Sequence, residues 1–210
     1  ERLRAVSSAD EYFKNQTKPA KYSARVSVTG TIPGRQYHTA INYEDFMFVY
    51  GGFSADKSVC SELYCFHYGT RSWTPIEHDS NATHLTPRFD HSAVVYGDSM
   101  FIFAGMSPQN SLLDDLWEFK FETQSWSLIQ GDSKPSARKG HTAVVHENSM
   151  YVIGGLNADN KPLDDIWEFS FDTFRWTKLS GSNFPGRFHH SAVVFKDSIF
   201  VFGGSTISNA

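Results

Sequence analysis

Short apolar segments alternate with polar turns along most of the chain, at the length and spacing expected of β-strands. In the clearest example, an apolar segment at 94–96 is followed by the tripeptide Gly97-Asp98-Ser99 and by a second apolar segment at 100–103. This order predicts a β-hairpin, and the tripeptides that begin at Glu147 and Lys196 stand in the same place further along the chain. No segment has the 3.6-residue period of an amphipathic helix, so the pattern predicts an all-β protein.

Two more strands follow each hairpin. The third strand begins at Asp115 or Asp165, where the chain reads Asp-Leu-Trp-Glu-Phe and Asp-Ile-Trp-Glu-Phe, and the fourth strand carries Trp126 or Trp176. Four short strands joined by turns predict one four-stranded antiparallel sheet per unit.

These units repeat with a nearly constant length. A histidine stands near the start of each unit, with separations of 53, 50 and 49 residues: His38, His91, His141 and His190. A glycine lies 14 residues after each histidine: Gly52, Gly105, Gly155 and Gly204. A tryptophan lies 21 residues after each of the first three glycines: Trp73, Trp126 and Trp176. All variation in length falls between the tryptophan and the next histidine, which predicts a surface loop there.

The repeated sequence resembles the kelch family. The resemblance rests on Arg-x-x-His-Ser-Ala-Val-Val at 88–95, an apolar strand that ends in Gly-Gly, Asp-Asp-Leu-Trp-x-Phe at 114–119, and Thr-x-x-Trp. It implies a β-propeller built of four-stranded antiparallel blades, in which the repeated tryptophans pack between sheets. The chain then divides into degenerate strands at 1–34, kelch repeats at 35–87, 88–137 and 138–186, and a partial repeat at 187–210.

The number of blades is open at this stage. The partial repeat supplies two strands, and Asp10-Glu-Tyr-Phe13 together with residues 26–35 look like degenerate third and fourth strands. Pairing of these segments would complete a composite blade and close a four-bladed ring. The resemblance implies more than four blades, so we expect instead that the chain is part of a larger propeller.

The glycine pair that ends each second strand varies at its first position. Ala104 stands there in the second repeat, whereas the other repeats have glycine: Gly51, Gly154 and Gly203. The second position is glycine in every repeat. We expect the first position to accept a Cβ, and the second to require a positive φ or the close approach of another backbone.

Composition and charge narrow the range of partners. The chain has 210 residues, a net charge of −4 and 40% hydrophobic residues, which is ordinary for a globular domain. It lacks the clustered lysine and arginine that nucleic acid or an anionic membrane surface requires, and it has no apolar stretch long enough for membrane insertion. The two cysteines, Cys60 and Cys65, form no disulfide framework, so a reducing cytoplasmic location is expected.

The sequence offers no recognisable catalytic or metal-binding constellation. Repetition explains four histidines, and the others lack metal-ligand spacing on one element: His67, His78, His84, His146 and His189. Kelch-like copper oxidases need a tyrosine linked to a cysteine, and plant specifier proteins need Glu-x-x-x-Asp-x-x-x-His for iron, where this chain has Trp176 in place of the histidine. We therefore expect no enzyme activity, no metal and no cofactor.

Residues that differ between repeats are the candidates for partner recognition. They lie directly after the arginine that opens each repeat, and the candidate set includes those arginines: Arg35, Tyr37, Arg88, Phe89, Asp90, Arg138, Lys139, Arg187, Phe188 and His189. The loops after the glycine pairs should emerge on the same face, because the first strand starts where the second ends. Aromatic and charged side chains among polar loops are typical of interface hot spots.

The four arginines have two interpretations. They could bind acidic side chains of a partner through bidentate hydrogen bonds. Alternatively, each could pair with the carboxylates of Asp114-Asp115 or Asp164-Asp165 in an adjoining blade and so hold the ring together. We favour the second interpretation, because repetition indicates a structural role.

The expected function is protein–protein interaction, with one loop-bearing rim presented to a partner protein. The resemblance suggests a substrate-recognition part of an adaptor, or a scaffold, as the setting. Two alternatives remain at this stage: an enzyme or small-ligand-binding propeller that uses the central channel, and a purely structural spacer.

Overall fold

The computed structural model describes residues 27–77, 85–131, 133–180 and 184–206. These residues form three four-stranded antiparallel sheets and a two-stranded sheet from the fourth repeat, with a short strand pair beside the first sheet. The predicted all-β architecture of kelch blades is therefore confirmed. No helix long and apolar enough to cross a membrane occurs within the described ranges.

Blade 1 contains six strands: β1 Arg35–Gln36, β2 Thr39–Tyr43, β3 Phe46–Tyr50, β4 Phe53–Ser54, β5 Leu63–His67 and β6 Ser72–Ile76. Strands β2, β3, β5 and β6 form the four-stranded sheet in that order, and β1 pairs with β4.

The later blades follow the same plan. Blade 2 consists of β7 Ser92–Tyr96, β8 Ser99–Met106, β9 Leu112–Lys120 and β10 Ser125–Ile129. Blade 3 consists of β11 Thr142–His146, β12 Ser149–Ile153, β13 Ile166–Ser170 and β14 Arg175–Lys178. Blade 4 has the described strands β15 Phe188–Phe195 and β16 Ser198–Ser205. In blades 2 and 3 the strands pair in chain order, as expected for a meander.

The hairpin that opens each blade turns at a residue with positive φ. The values lie between 48° and 55° at the four equivalent positions: Glu44, Gly97, Glu147 and Lys196. Left-handed residues are typical of the tight turns whose twist matches that of the flanking strands. The predicted hairpins are therefore confirmed at residues 97–99 and at the equivalent turns.

The first strand of each blade faces the propeller axis. Strand β2 packs against β7, β7 against β11, and β11 against β15, so these strands lie side by side. The other strands of each blade extend outward from them in order. The arginines that precede the first strands therefore lie at one end of this inner wall, and the hairpin turns lie at the other.

The apolar core lies between successive blades, as the sequence pattern predicts. Trp126 of blade 2 lies 4.8 Å from Phe119 and 5.6 Å from Tyr50 of blade 1, measured between ring centroids. Trp176 of blade 3 lies 5.0 Å from Phe103 of blade 2. These two tryptophans thus carry the interblade packing expected of the repeat.

Both positions of the glycine pair have positive φ, which extends the prediction from sequence. The first position has φ near 60°, a value that Ala104 also adopts at 56°. The second reaches 106° at Gly155, where an added Cβ would lie 2.9 Å from the Cβ of His141. The first position therefore accepts a Cβ despite its left-handed backbone, and the second excludes one by both conformation and contact.

Part of the segment before blade 1 lies beside the last strand of that blade. Thr29 forms a parallel bridge with Ser72, and its backbone exchanges hydrogen bonds with Arg71 and Trp73. Thr29, near the start of the segment 26–35, thus lies beside β6 of blade 1, and the composite blade with β15 and β16 stays a prediction. The other part of that prediction, Asp10-Glu-Tyr-Phe13, lies outside the described residues.

Blade 4 has an apolar, exposed face on the side of the sheet opposite to blade 3. Val193, Phe195 and Phe202 are 60%, 62% and 82% exposed. The repeat places them at the positions of Val94, Tyr96 and Phe103 in blade 2, which are covered by blade 3.

Candidate partner-binding surface

Two of the repeated arginines form buried clamps within their own blades. Arg138 is completely buried and donates two hydrogen bonds to the carboxylate of Asp165, at 2.7 and 2.9 Å. Arg88 makes the same bidentate contact with Asp115, at 2.7 and 2.8 Å. Burial raises the pKa of Asp165, but its hydrogen bonds and ion pair with Arg138 outweigh burial and hold the pKa below the ordinary value.

Each clamp also fixes the backbone and the neighbouring tryptophan. Nη1 of Arg138 donates to the carbonyl of Gly154 at 2.9 Å, and Nε donates to the carbonyl of Ser136 at 3.0 Å. The indole Nε1 of Trp167 donates to the second oxygen of Asp165 at 2.8 Å. The guanidinium, the carboxylate and the indole form one satisfied polar network, as buried charges require.

This geometry corrects two expectations from sequence. The acidic partner belongs to the same blade as the arginine, not to an adjoining blade, because the third strand of the blade brings it there. Arg88 and Arg138 are 0% exposed, so their guanidinium groups are not available to a partner protein. We therefore remove these two residues from the candidate partner-binding set.

Arg35 and Arg187 have the same position but different surroundings. Glu62 stands where Asp115 and Asp165 stand in the later blades, and no ion pair to Arg35 is found among the described residues. Instead, the Arg35 guanidinium lies 5.3 Å from the ring centre of Tyr64, and that of Arg187 lies 4.9 Å from the ring centre of Phe184. These two arginines stay in the candidate set, at the two ends of the series.

The repeated histidines connect neighbouring blades. Nε2 of each hydrogen bonds to the hydroxyl that follows the histidine of the preceding blade, at 2.8 to 2.9 Å: His91 to Thr39, His141 to Ser92 and His190 to Thr142. Burial lowers the pKa of His141 to about 3 and that of His190 to about 4, so both are neutral at pH 7. Sequence reasoning missed this pairing, although every repeat histidine is followed by serine or threonine.

Backbone hydrogen bonds join the residues that precede these histidines. The residues themselves differ between blades and all have φ between 52° and 62°: Tyr37, Asp90, Gly140 and His189. The N–H of Asp90 donates to Tyr37, that of Gly140 to Asp90 and that of His189 to Gly140, at 2.7 to 3.0 Å. A rigid backbone series therefore runs from blade to blade at this end of the inner wall.

The side chains on this series meet above Gly140. Nε2 of His189 lies 3.0 Å from a carboxylate oxygen of Asp90, two blades away. The ring of Tyr37 stacks on that of His189 with centroids 6.0 Å apart. A Cβ at Gly140 would lie 2.8 Å from the His189 ring, so this glycine leaves the space that the contact needs. The hydrogen bond to Asp90 raises the pKa of His189.

The loops after the glycine pairs emerge beside these residues, which confirms that the two loop families share a face. Phe89 and Met106 exchange backbone hydrogen bonds at 2.8 and 3.0 Å. Lys139 and Leu156 likewise exchange two backbone hydrogen bonds, at 2.8 and 3.1 Å. The ring of Phe89 lies 5.5 Å from that of Phe53 in the neighbouring loop. We call the surface formed by Tyr37, Phe89, Asp90, Lys139, Phe188 and His189 the rim.

The described residues hold no group of three or more histidine, cysteine, aspartate or glutamate side chains arranged to bind a metal ion. Cys60 and Cys65 are buried and free, and burial raises the pKa of both thiols. The arrangement at the rim consists of ring contacts, a histidine–carboxylate hydrogen bond and backbone hydrogen bonds, which are contacts typical of recognition surfaces.

Comparison with known proteins gives the same picture. The KLHDC2/KLHL20/DRC7 Kelch-repeats domain family matches residues 5–204. The chain is 32% identical over 105 residues to the Drosophila melanogaster leucine-zipper-like transcriptional regulator 1 homolog. The matched region covers 50% of this chain and 11% of that protein. It is 30% identical over 108 residues to human Kelch domain-containing protein 3, or 50% of this chain and 28% of that protein.

A third relative is acyl-CoA-binding domain-containing protein 5 of Arabidopsis thaliana, 32% identical over 94 residues, or 44% of this chain and 14% of that protein. The matched regions thus span less than a third of the length of each of these relatives. Domains of this kind generally bind other proteins. The repeated sequence, the four-stranded blades and the family match together show that the chain belongs to the kelch-repeat family.

Proposed function

We propose that this chain recognises a partner protein through the rim, with Tyr37, Asp90 and His189 at the centre of the contact. The observation that carries the proposal is the cluster above Gly140, where side chains from blades 1, 2 and 4 meet although none is repeated. Tyr37 and His189 are exposed: the exposed fraction is 49% for the whole Tyr37 residue and 45% for the His189 side chain.

Preorganisation supports this assignment. The cluster stands on left-handed backbone positions joined in series by hydrogen bonds, so little conformational freedom remains to be lost on binding. Aromatic side chains held in this way supply apolar contact area at low entropic cost, and the neighbouring Lys139 and Asp90 add charge complementarity. Arg35 and Arg187 belong to the outer part of the same surface.

The setting that we propose is a cytoplasmic adaptor or scaffold in which these blades hold the bound protein. The two buried free cysteines are compatible with a reducing compartment. The alternative of a metal-dependent enzyme that uses the channel gains no support from the described residues, which hold no group of side chains suited to a metal ion.

Charge reversal tests the rim. Lys139→Glu and Asp90→Lys should each reduce the recovery of bound proteins in affinity capture from cell extract, quantified by mass spectrometry against the unaltered chain. Lys120→Glu is the matched control, because Lys120 is exposed at the hairpin-turn end of blade 2. Thermal unfolding checks that all three variants stay folded. Recovery that is equal for the rim variants and the control would contradict the proposal.

A further inference from the structure

A groove lies between blades 1 and 2 at the hairpin-turn end, away from the rim. Its volume is about 500 Å³, within the range of sites that hold small ligands or the side chains of a partner. The residues that line it come from all four strands of blade 1, from the third strand of blade 2 and from turns of both blades. They are Tyr43, Glu44, Phe46, Phe48, Cys65, Ile76, Asp98, Phe119, Phe121, Glu122 and Gln124.

Blade 1 departs from the repeat at two residues that line the groove. Phe46 and Cys65 stand at positions where blades 2 and 3 carry a serine and a glutamate. In those blades the serine hydroxyl donates to the glutamate at 2.7 Å: Ser99 to Glu118 and Ser149 to Glu168. A polar pair has thus been replaced by an aromatic ring and a thiol on the surface that blade 1 turns toward blade 2.

The inside of the groove is apolar and firmly packed. The rings of Tyr43 and Phe121 stack with centroids 3.9 Å apart, and Phe48 lies 4.8 Å from Phe121. Phe48 and Cys65 are each 8% exposed at its base. An apolar side chain placed here would lose contact with water on most of its surface, which is the largest source of affinity in such sites.

The mouth of the groove is acidic. Glu44, Asp98 and Glu122 are exposed there, and none of them forms an ion pair with another described residue. The hydroxyl of Tyr43 donates to Asp98 at 3.0 Å. That hydrogen bond, with burial and the charges of Asp98, Glu44 and Glu122, raises the pKa of Tyr43. All three carboxylates line the same groove as the Tyr43 ring.

The equivalent place between blades 2 and 3 keeps only one of these three carboxylates. Gly97, Asn148 and Asp172 stand at the positions of Glu44, Asp98 and Glu122, and the Asn148 amide donates to Asp172 at 3.2 Å. Tyr96 still stacks on Phe171 at 3.9 Å, so the aromatic wall belongs to the repeat. The pair Phe46 and Cys65 and the full set of three carboxylates occur only in the groove between blades 1 and 2 among these two interfaces.

We propose that this groove binds a segment of a partner protein in which a bulky apolar side chain stands next to lysine or arginine residues. The apolar side chain enters the groove and contacts Phe46, Phe48 and Cys65. The flanking cations stay at the mouth beside Glu44, Asp98 and Glu122, where they remain hydrated. A lysine inserted by itself would place its ammonium group at the apolar base, which is costly.

Three synthetic peptides test this chemistry by calorimetric titration against the whole chain. They are capped pentapeptides with the central sequences Lys-Phe-Lys, Lys-Ala-Lys and Glu-Phe-Glu. The first should bind with one-to-one stoichiometry, and the other two at least about tenfold more weakly, because each lacks either the buried ring or the favourable charge. Equal affinity for all three, or no saturable binding of Lys-Phe-Lys up to millimolar concentration, would overturn the proposal.

Two double variants locate the site. Phe46→Ser with Cys65→Glu restores the pair that blades 2 and 3 use, and it should lower the affinity for Lys-Phe-Lys at least about tenfold by removing the apolar base. Glu44→Gln with Glu122→Gln changes only exposed groups, and it should lower the affinity about threefold to tenfold and weaken its dependence on salt. Unchanged affinity in both double variants would refute the assignment.

Matched controls separate this site from other surfaces. Asp172→Asn neutralises the carboxylate at the position of Glu122 in the next interface, and it should leave peptide affinity unchanged. Lys139→Glu at the rim should also leave it unchanged, so that this test and the test of the rim can fail independently. Loss of affinity in Asp172→Asn, or a gain of affinity in Lys139→Glu, would mean that the peptide binds by diffuse charge attraction, which would also contradict the proposal.

Discussion

Removal of Asp165 would show how strongly the buried arginine clamp stabilises blade 3. Arg138 has no exposed surface, and Asp165 is the only carboxylate with which it pairs among the described residues. Asp165→Ala leaves this guanidinium buried without a counter-charge, and it also removes the acceptor of the Trp167 indole. The variant therefore exposes the cost of an unpaired buried cation, not merely the loss of a contact.

The contacts that Asp165 makes determine how much unfolding free energy the Asp165→Ala variant loses. Two charge-assisted hydrogen bonds are lost, and loss of one partner from a buried ion pair costs about 3–5 kcal/mol of unfolding free energy. That is a large part of the roughly 5–15 kcal/mol that stabilises a typical domain. The double variant Arg138→Met with Asp165→Leu should be more stable than Asp165→Ala, because it leaves no charge buried.

Urea unfolding at pH 7, followed by far-ultraviolet circular dichroism, measures these differences. Arg35→Met is the matched control, because Arg35 has the same position in blade 1 but no carboxylate partner in the described structure; it should cost only about 1 kcal/mol. The reasoning fails if Asp165→Ala lies within about 1 kcal/mol of the unaltered chain, or if the double variant is less stable than the single one.

Two further predictions concern the interfaces between blades. Burial lowers the pKa of His141 from 6.5 to about 3, so stability is full above about pH 6.5 and falls as the pH drops towards 3. Between pH 7 and pH 5 this residue should account for a loss of about 2 kcal/mol, which urea unfolding at both pH values measures and which His141→Gln should remove. Gly155→Ala should cost about 3 kcal/mol, because φ is 106° and the new Cβ would meet His141. Gly97→Ala, at φ 55° with no atom within 4 Å, should cost only about 1 kcal/mol, and equal costs would contradict the steric argument.

The repeat predicts the blades from sequence alone, but it cannot assign contacts to one blade or the next. Arg88 and Asp115 recur in phase, so their spacing allows pairing within a blade and pairing across two blades equally well. The observed contact decides between them, because Arg88 bonds to Asp115 on β9, the third strand of its own blade. The type of interaction was therefore predictable and its topology was not.

The central cluster of the rim depends on information that a repeat does not contain. His189 and Asp90 meet across an intervening blade, and this needs both the curvature of the stacked blades and the missing side chain at Gly140. The positive φ at Tyr37 was also not predictable, because tyrosine seldom adopts it. The sequence signal that did point to these residues was their variation at one repeat position.

The histidine bonds between blades all run in one direction. The histidine of each blade bonds to the hydroxyl of the blade before it, so the series of blades has a direction and two different ends, as a polymer does. We call the blade 1 end the head and the blade 4 end the tail. His38 at the head is exposed, and at the tail Ser191 is exposed beside Phe202. Blades 2 and 3 are joined on both sides, whereas blade 4 has only one neighbour among the described residues. Protection against hydrogen exchange should thus be highest in the middle of the series and lowest in β15 and β16.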